Sequence, residues 1–235
     1  VMEVEARLDP RLRKIIGKIR DKSLRNKIVA LIEEDSFEIG GKRYRGVSFE
    51  VAPASIFHHH NYPGGLLEHV LSTADIALTL CGSVEKVYHG TVDRDIVIGG
   101  VVLHDLYKTL AYELKEDGRY GISPLAERVD HLSLIVSEMT KRGFPIDLIH
   151  AVCAHHGDTG PISPKTVEAL ICHLADLADS RLNGDVVKAA RYLVRDATGT
   201  VWERITAEEA FEIVHSKATG GWDQLRRTLE KMGRI

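Results

Sequence analysis

Residues 97–108 read VIGGVVLHDLYK, an apolar run that ends in an adjacent histidine and aspartate. The run is apolar on every side, which is typical of a helix buried in the middle of a protein. Burying His104 and Asp105 at its end costs free energy unless another group compensates their charge. A cation beside this helix end would satisfy both side chains, so the sequence predicts a buried ionisable pair with a bound partner.

Outward from this run, apolar residues recur at helical spacing through most of the chain. The pattern predicts an all-α fold, with two short helices after Asp9-Pro10 and Ser23. Further helices are expected over residues 65–81, 94–111, 124–142, 145–156, 164–182, 185–194 and 206–232, the last in two pieces. Ser123-Pro124 and Ser163-Pro164 each join a capping hydroxyl to a proline suited to the first turn, so we expect helices to begin there.

One segment near the N-terminus has a different pattern. Residues 37–44 read FEIGGKRY, in which apolar and polar residues alternate around a Gly-Gly pair, and this is typical of a β-hairpin. We expect residues 1–52 to form N-terminal helices and this accessory hairpin, and residues 53–235 to form the helical core with its C-terminal helices. Because no flexible linker separates the two parts, we expect one integrated domain.

The composition excludes several classes of protein. Apolar residues make up 44% of the 235 and charged residues 28%, which is far from the composition of disordered chains. No stretch approaches the roughly 18 apolar residues of a membrane span. Residues 1–13 are charged rather than signal-like, so we expect a cytoplasmic protein with no membrane partner. The net charge of −3 gives no overall attraction to nucleic acid.

The chain has twelve histidines, more than packing or solubility requires. Eight of them lie at junctions of polar and apolar segments in the middle of the chain: His58, His59, His60, His69, His104, His131, His155 and His156. His69 lies near the start of a predicted helix, and Asp176 lies in an apolar run. Each is a polar residue in an apolar setting, as His104 and Asp105 are.

Four ordered motifs resemble those of the HD-domain phosphohydrolase superfamily, whose defining pattern is His, His-Asp, Asp. They are HHNYPGGLLEH at 59–69, LHDLYK at 103–108, AHHG at 154–157 and HLADLAD at 173–179. The sequences of these motifs are similar to those of the family branch that contains certain bacterial 3'-5' exoribonucleases. The resemblance covers about residues 50–182, and it implies an HD-domain helical bundle that acts as a metal-dependent phosphodiesterase.

The resemblance also implies a ligand set. A metal would be held by four side chains: His69, His104, Asp105 and Asp176. Family members with extra histidines bind a second ion, bridged by the aspartate of the pair. His131 and either His155 or His156 match those extra positions, so we expect two divalent ions. Imidazole and carboxylate ligands without cysteine favour iron or manganese, with cobalt, nickel or zinc as alternatives.

Other residues are candidates for contact with the reacting phosphate. Lys108 lies three residues after Asp105, where its ammonium can stabilise developing negative charge, so these two are the predicted catalytic residues. The alternative for Lys108 is a solvated surface lysine. His59 and His60 are predicted, with Lys108, to bind the substrate phosphate or protonate its leaving oxygen. The alternative is a pair of ordinary loop histidines. Asp179 is a candidate for orienting a ligand or a substrate hydroxyl.

The resemblance implies a small phosphorylated substrate and leaves three functions open. An archaeal branch of the family opens 7,8-dihydroneopterin 2',3'-cyclic phosphate, so that ester or a related cyclic nucleotide is the expected substrate. A 3'-5' exoribonuclease is the first alternative, with RNA as partner, although those enzymes carry an added nucleic-acid-binding domain that one hairpin does not match. The second is a non-catalytic module that senses a metal or nucleotide. The C-terminal helices, with Trp202, Trp222 and Leu225, are either packed or form a homo-oligomer surface.

Overall fold

The computed structural model describes residues 8–34, 36–116 and 119–233, and it confirms the all-α prediction with an N-terminal hairpin. The helices are α1 (Pro10–Ile16), α2 (Lys22–Glu33), α3 (Gly65–Lys86), α4 (Arg94–Leu103), α5 (Lys108–Ala111), α6 (His131–Lys141), α7 (Ile146–Cys153), α8 (Val167–Thr198) and α9 (Ala207–Lys231). None of the helices in these ranges is long and apolar enough to span a bilayer. Residues 1–7 of the charged N-terminal segment lie outside the described residues.

Helix α4 lies at the centre of the main hydrophobic core. The Asp93 side chain begins it by accepting hydrogen bonds from the backbone N–H groups of Asp95 and Ile96, and every residue from 96 to 103 is buried. Helices α3, α7 and α8 pack against it. The N-terminal helices α1 and α2 contribute Leu12 and Ile28 to the same core. A helix that is apolar all round is therefore covered on all sides, as its sequence predicts.

A second, smaller core holds the C-terminal helices together. Helix α8 is 32 residues long and contributes to both cores, because its later residues pack against α9. Trp202 and Leu225 are buried in this second core, whereas Trp222 is 41% exposed. Two of the three residues left open by the sequence therefore serve packing. The homo-oligomer stays a prediction.

The two hairpins differ in how well the sequence predicted them. Strands β1 (Ser36–Ile39) and β2 (Lys42–Arg45) pair antiparallel as expected, and Gly40 and Gly41 have the positive φ angles that a tight hairpin turn requires. A second antiparallel pair, β3 (Tyr112–Leu114) and β4 (Tyr120–Ile122), was not predicted. It follows α5 directly, immediately after the last residue of the helix predicted over residues 94–111.

Both helix starts expected at Ser-Pro pairs are wrong, because other residues cap the helices. The Ser123 hydroxyl does accept a hydrogen bond from the Ala126 N–H, at 3.2 Å, but turns follow it, and α6 begins only at His131 with Asp130 as its cap. Helix α8 begins at Val167, where the Thr166 hydroxyl accepts a hydrogen bond from Ala169 at 3.1 Å. A capping side chain one residue before the first turn decides each boundary.

Other helix boundaries also differ from the prediction: α3 continues to Lys86, and α7 ends at Cys153. The helix expected over residues 94–111 ends at Leu103, since the N–H groups of Leu106 and Lys108 bond back only three residues, to Leu103 and Asp105. The two helices expected over 164–182 and 185–194 are one continuous α8. Asn183 lies inside this helix, and its side-chain oxygen accepts a hydrogen bond from the backbone N–H of His60.

Gly100 tests the close packing of α4. A Cβ added there would lie 2.7 Å from Cys172 Sγ and 3.3 Å from Ala151 Cβ, so we expect Gly100→Ala to lower the free energy of unfolding by about 1–3 kcal/mol. Gly82 in α3 is the matched control, since an added Cβ would meet no described neighbour within 4 Å. Gly82→Ala should raise the stability by about 0.5–1 kcal/mol. Urea unfolding checks both, and equal effects would contradict the packing.

Candidate metal centre

Five helices, α3, α4, α6, α7 and α8, bring the predicted metal ligands to one place. His69 is the fifth residue of α3, and His104 and Asp105 immediately follow α4. His155 lies two residues after the end of α7, and Asp176 projects from α8. His69, His104, Asp105 and His155 are each at most 1% exposed. Titratable side chains so deeply buried need partners, and the helix ends supply them to each other.

The first cluster joins two histidines and two aspartates. Its shortest distances centre on His69, whose Nε2 lies 3.1 Å from His104 Nε2, 3.4 Å from Asp105 Oδ2 and 3.3 Å from Asp176 Oδ1. His104 Nε2 lies 3.4 Å and 3.7 Å from the same two carboxylate oxygens. Neighbouring ligands of a metal ion with bonds of about 2.0–2.2 Å are separated by roughly 3–3.5 Å. The spacing therefore fits a coordination shell.

The second cluster lies on the other oxygen of the same aspartate. Asp105 Oδ1 is 3.3 Å from His131 Nε2 and 3.8 Å from His155 Nε2, and His156 offers a further ring nitrogen within 4.8 Å of the other two histidines. Within the described ranges, Asp105 Oδ1, His131 Nε2 and His155 Nε2 are buried without a hydrogen-bond partner. Each such atom costs about 1–3 kcal/mol. Three of them facing one another fit a cation, and both His155 and His156 remain candidates to bind it.

Three of the clustered histidines are oriented by a hydrogen bond on the opposite ring nitrogen. The Nδ1–H of His69 donates to Asp179 Oδ2 at 2.6 Å. Nδ1–H groups of His104 and His155 donate to backbone carbonyls three residues earlier, at 2.9 Å and 2.7 Å. Such bonds keep the proton of the neutral ring on Nδ1, so Nε2 is the atom of each ring that can offer a lone pair to a cation. Asp179 thus orients a histidine, a more specific role than the sequence indicated.

The turn after α7 depends on a glycine. Gly157 has a φ of +59°, and a Cβ there would lie 2.4 Å from the His173 ring. His173 in turn donates from Nδ1 to the His155 carbonyl at 2.7 Å. This contact ties the turn that carries His155 and His156 to α8. The glycine in the AHHG motif is therefore required by space and by backbone conformation.

Electrostatics separate the buried groups into charged and neutral ones. Burial alone would raise the pKa of Asp105, but Lys108 and His104 hold it well below its ordinary value. Burial would lower the pKa of His104, yet Asp105 and Asp176 raise it to about 9. Burial, with the nearby charge of His104, lowers the pKa of His155 to about 3. A cation that binds the first cluster must therefore displace protons from its histidines.

The predicted phosphate-binding residues lie beside the first cluster. Lys108 Nζ is 2.6 Å from Asp105 Oδ2, and its side chain is only 12% exposed, so it is not a solvated surface lysine. The ring of His59 lies 4.9 Å from that of His69, and its buried Nδ1 has no hydrogen-bond partner among the described residues. His60 is 2% exposed, and its two ring nitrogens contact Tyr62 and Asp179.

Comparison with known proteins identifies relatives of this chain. Residues 66–181 match the family described as HD domain. The chain is 42% identical to the dihydroneopterin 2',3'-cyclic phosphate phosphodiesterase of Methanocaldococcus jannaschii over 186 residues, which cover 79% of this chain and 74% of that protein. No solved structure matches this chain.

The chain is also similar to a group of bacterial nucleases. It is 34% identical to the 3'-5' exoribonuclease YhaM of Listeria innocua over 60% of this chain, and 30% identical to that of Bacillus subtilis over 67%. It spans about half the length of these exoribonucleases, 46% and 50%. The family match contains both clusters, and the archaeal relative is aligned over most of its length. This chain therefore belongs to the HD domain family.

Proposed function

We propose that this protein is a metal-dependent phosphodiesterase that hydrolyses a cyclic phosphodiester of a small metabolite. 7,8-Dihydroneopterin 2',3'-cyclic phosphate, or a related cyclic nucleotide, is the proposed substrate. The observation that carries the proposal is the convergence of His69, His104, Asp105 and Asp176, with contacts of 3.1–3.7 Å from the two histidines. The archaeal relative named for this cyclic ester supports the substrate class, because it aligns with 79% of the chain.

The two clusters supply ligands for two divalent ions that share one carboxylate. We assign the first ion to His69, His104, Asp105 and Asp176, and the second to Asp105, His131, His155 and His156. Within the described residues the candidate groups contain no cysteine, which favours iron or manganese, with cobalt, nickel or zinc as alternatives. Divalent cations held there would polarise a phosphoryl oxygen and make water a stronger nucleophile near neutral pH.

The residues beside the clusters supply the remaining parts of the reaction. Hydrolysis of a 2',3'-cyclic phosphate adds water to phosphorus and breaks one P–O bond, and the leaving 2' or 3' oxygen takes up one proton. The Lys108 ammonium, held 2.6 Å from Asp105, can stabilise the negative charge that grows on the phosphoryl oxygens. His59 presents its unpartnered Nδ1 beside His69, where it can hydrogen-bond to the phosphate or the leaving oxygen.

Asp105→Asn tests the shared carboxylate. The amide keeps the shape of the side chain but removes the charge that both ions need, so we expect loss of bound metal and a fall of at least roughly 100-fold in kcat/KM. Metal content of anaerobically purified protein and hydrolysis of a 2',3'-cyclic nucleotide measure the two effects. Asp185→Asn is the control, because this exposed aspartate lies on α8 outside both clusters, and it should change neither. Metal retained in Asp105→Asn would contradict the proposal.

RNA is the second candidate substrate, because the chain is 34% and 30% identical to two 3'-5' exoribonucleases over 60% and 67% of its length. The dependence of binding and turnover on salt concentration distinguishes RNA from the cyclic ester as substrate. Binding of a polynucleotide that contacts several phosphates weakens on the order of 1000-fold between 50 and 200 mM salt, whereas turnover of a singly charged cyclic ester should change little.

We expect metal-dependent turnover of the cyclic phosphates that is nearly independent of salt, with short RNA a poor substrate. The measurement is kcat/KM for a pterin cyclic phosphate, 2',3'-cyclic nucleotides and a short RNA at both salt concentrations. Preferred cleavage of RNA, with a steep loss of kcat/KM as salt is raised, would identify RNA and not the metabolite as the substrate. Tight binding without turnover of any ester would favour a sensing module.

A further inference from the structure

A chain of buried hydrogen bonds leads from His69 to the surface of the protein. Asp179 Oδ2, which accepts from His69, also lies 2.9 Å from His60 Nε2. His60 Nδ1 lies 2.8 Å from the Tyr62 hydroxyl, and this hydroxyl donates to Glu68 Oε2 at 2.8 Å. We call these four residues, Asp179, His60, Tyr62 and Glu68, the relay. Its inner three members are at most 3% exposed, whereas Glu68 is exposed.

The backbone at His60 is built to hold this arrangement. His60 has a φ of +45°, a left-handed conformation that costs about 1–2 kcal/mol for a residue with a side chain. Its N–H donates to the buried Asn183 side chain at 2.7 Å. Its carbonyl lies so close to α3 that a Cβ at Gly65 would be 2.2 Å away. Contacts to two helices therefore maintain an unfavourable conformation that places the His60 ring beside Asp179.

We propose that His60 and Tyr62 are positioning residues that act through Asp179 to aim His69 Nε2 at the first ion. A histidine suits this place because its two ring nitrogens can engage a hydroxyl and a carboxylate on opposite sides. The Asp179 oxygen that accepts from His69 is thereby held by a second contact, to His60 Nε2, and a fixed carboxylate fixes the imidazole that it holds. This inference rests on the metal centre in the proposed function.

The relay reassigns one residue that the sequence associated with substrate. Both ring nitrogens of His60 are engaged inside the protein, so neither is available to a phosphate without breaking the relay. Its neighbour His59 has the unpartnered ring nitrogen instead. The two adjacent histidines of the motif thus have different tasks. Of the two, only His59 keeps a ring nitrogen that could bond to the phosphate, whereas His60 supports the metal ligand His69 through Asp179.

The relay serves only one of the two proposed ions. His104 and His155 are oriented by backbone carbonyls, which no side-chain substitution removes. His69 is oriented by a side chain that is itself held by other side chains. Damage to the relay should therefore weaken the first ion and spare the second, whereas a general loss of structure would weaken both.

Calorimetric titration of the metal-free protein with Mn²⁺ tests this asymmetry. We expect Asp179→Asn to weaken one of two binding steps by roughly 10- to 100-fold, and Tyr62→Phe to weaken the same step by roughly 3- to 10-fold. The other step should be unchanged. Tyr120→Phe is the matched control, because it also removes one hydroxyl hydrogen bond, to the Val51 carbonyl, away from the clusters, and it should leave both steps unchanged.

Further variants and outcomes distinguish a failure of the relay from a failure of the metal centre or of the proposed reaction. If Tyr62→Phe fails to fold, Glu68→Ala takes its place, since an exposed side chain can be removed without disturbing the core, and Glu68→Gln should restore binding because its amide oxygen accepts the same bond. Unchanged Mn²⁺ binding in Tyr62→Phe or Glu68→Ala, or equal weakening of both steps, overturns the relay. A wild-type protein that binds no Mn²⁺ overturns the metal centre of the proposed function as well. Normal relay effects without phosphodiesterase activity overturn the proposed reaction alone.

Discussion

The buried carboxylate of Asp105 is the constraint on which the rest of the site depends. An anion that is 1% exposed carries a desolvation penalty of several kcal/mol, and the protein offsets it differently on each oxygen. Oδ2 faces His69, His104 and Lys108. Oδ1 faces His131 and His155, and in the described structure it accepts no hydrogen bond. Two cations placed on the two sides of this carboxylate would complete the compensation.

The fold can be understood as the means of delivering those partners. Helix α4 is apolar enough to occupy the centre of the core, so its end is buried, and the tight turn after Leu103 brings His104 and Asp105 to the same buried cluster. Helices α3 and α8 pack on α4 and supply His69 and Asp176. The orienting bonds on the far ring nitrogens then fix each Nε2 toward Asp105. Packing, hydrogen bonding and charge compensation thus all favour one arrangement.

The sequence predicted the features that are encoded locally or in ordered motifs. The apolar run before His104-Asp105 indicates a buried helix end, and the order of the motifs identifies the residues that converge there. Contacts between distant segments were not predictable in the same way. His60 and Asp179 are separated by 119 positions, and no local pattern shows that Asn183 would bond to His60 rather than end a helix. The Ser-Pro pairs failed because a nearby Asp or Thr competes as a cap. The missed second hairpin did have a signal, since Asp117-Gly118 is a typical turn pair in sequence.

The central claim is that Asp105 bridges two ions, and anomalous diffraction from crystals of the manganese- or iron-loaded protein tests it most directly. We predict two anomalous peaks about 3.5–4 Å apart, one on each oxygen of Asp105. The first should lie within about 2.0–2.3 Å of the Nε2 atoms of His69 and His104. The second should lie among His131, His155 and His156. A fully loaded crystal with no peak at Asp105, or with metal bound only elsewhere, would contradict the account.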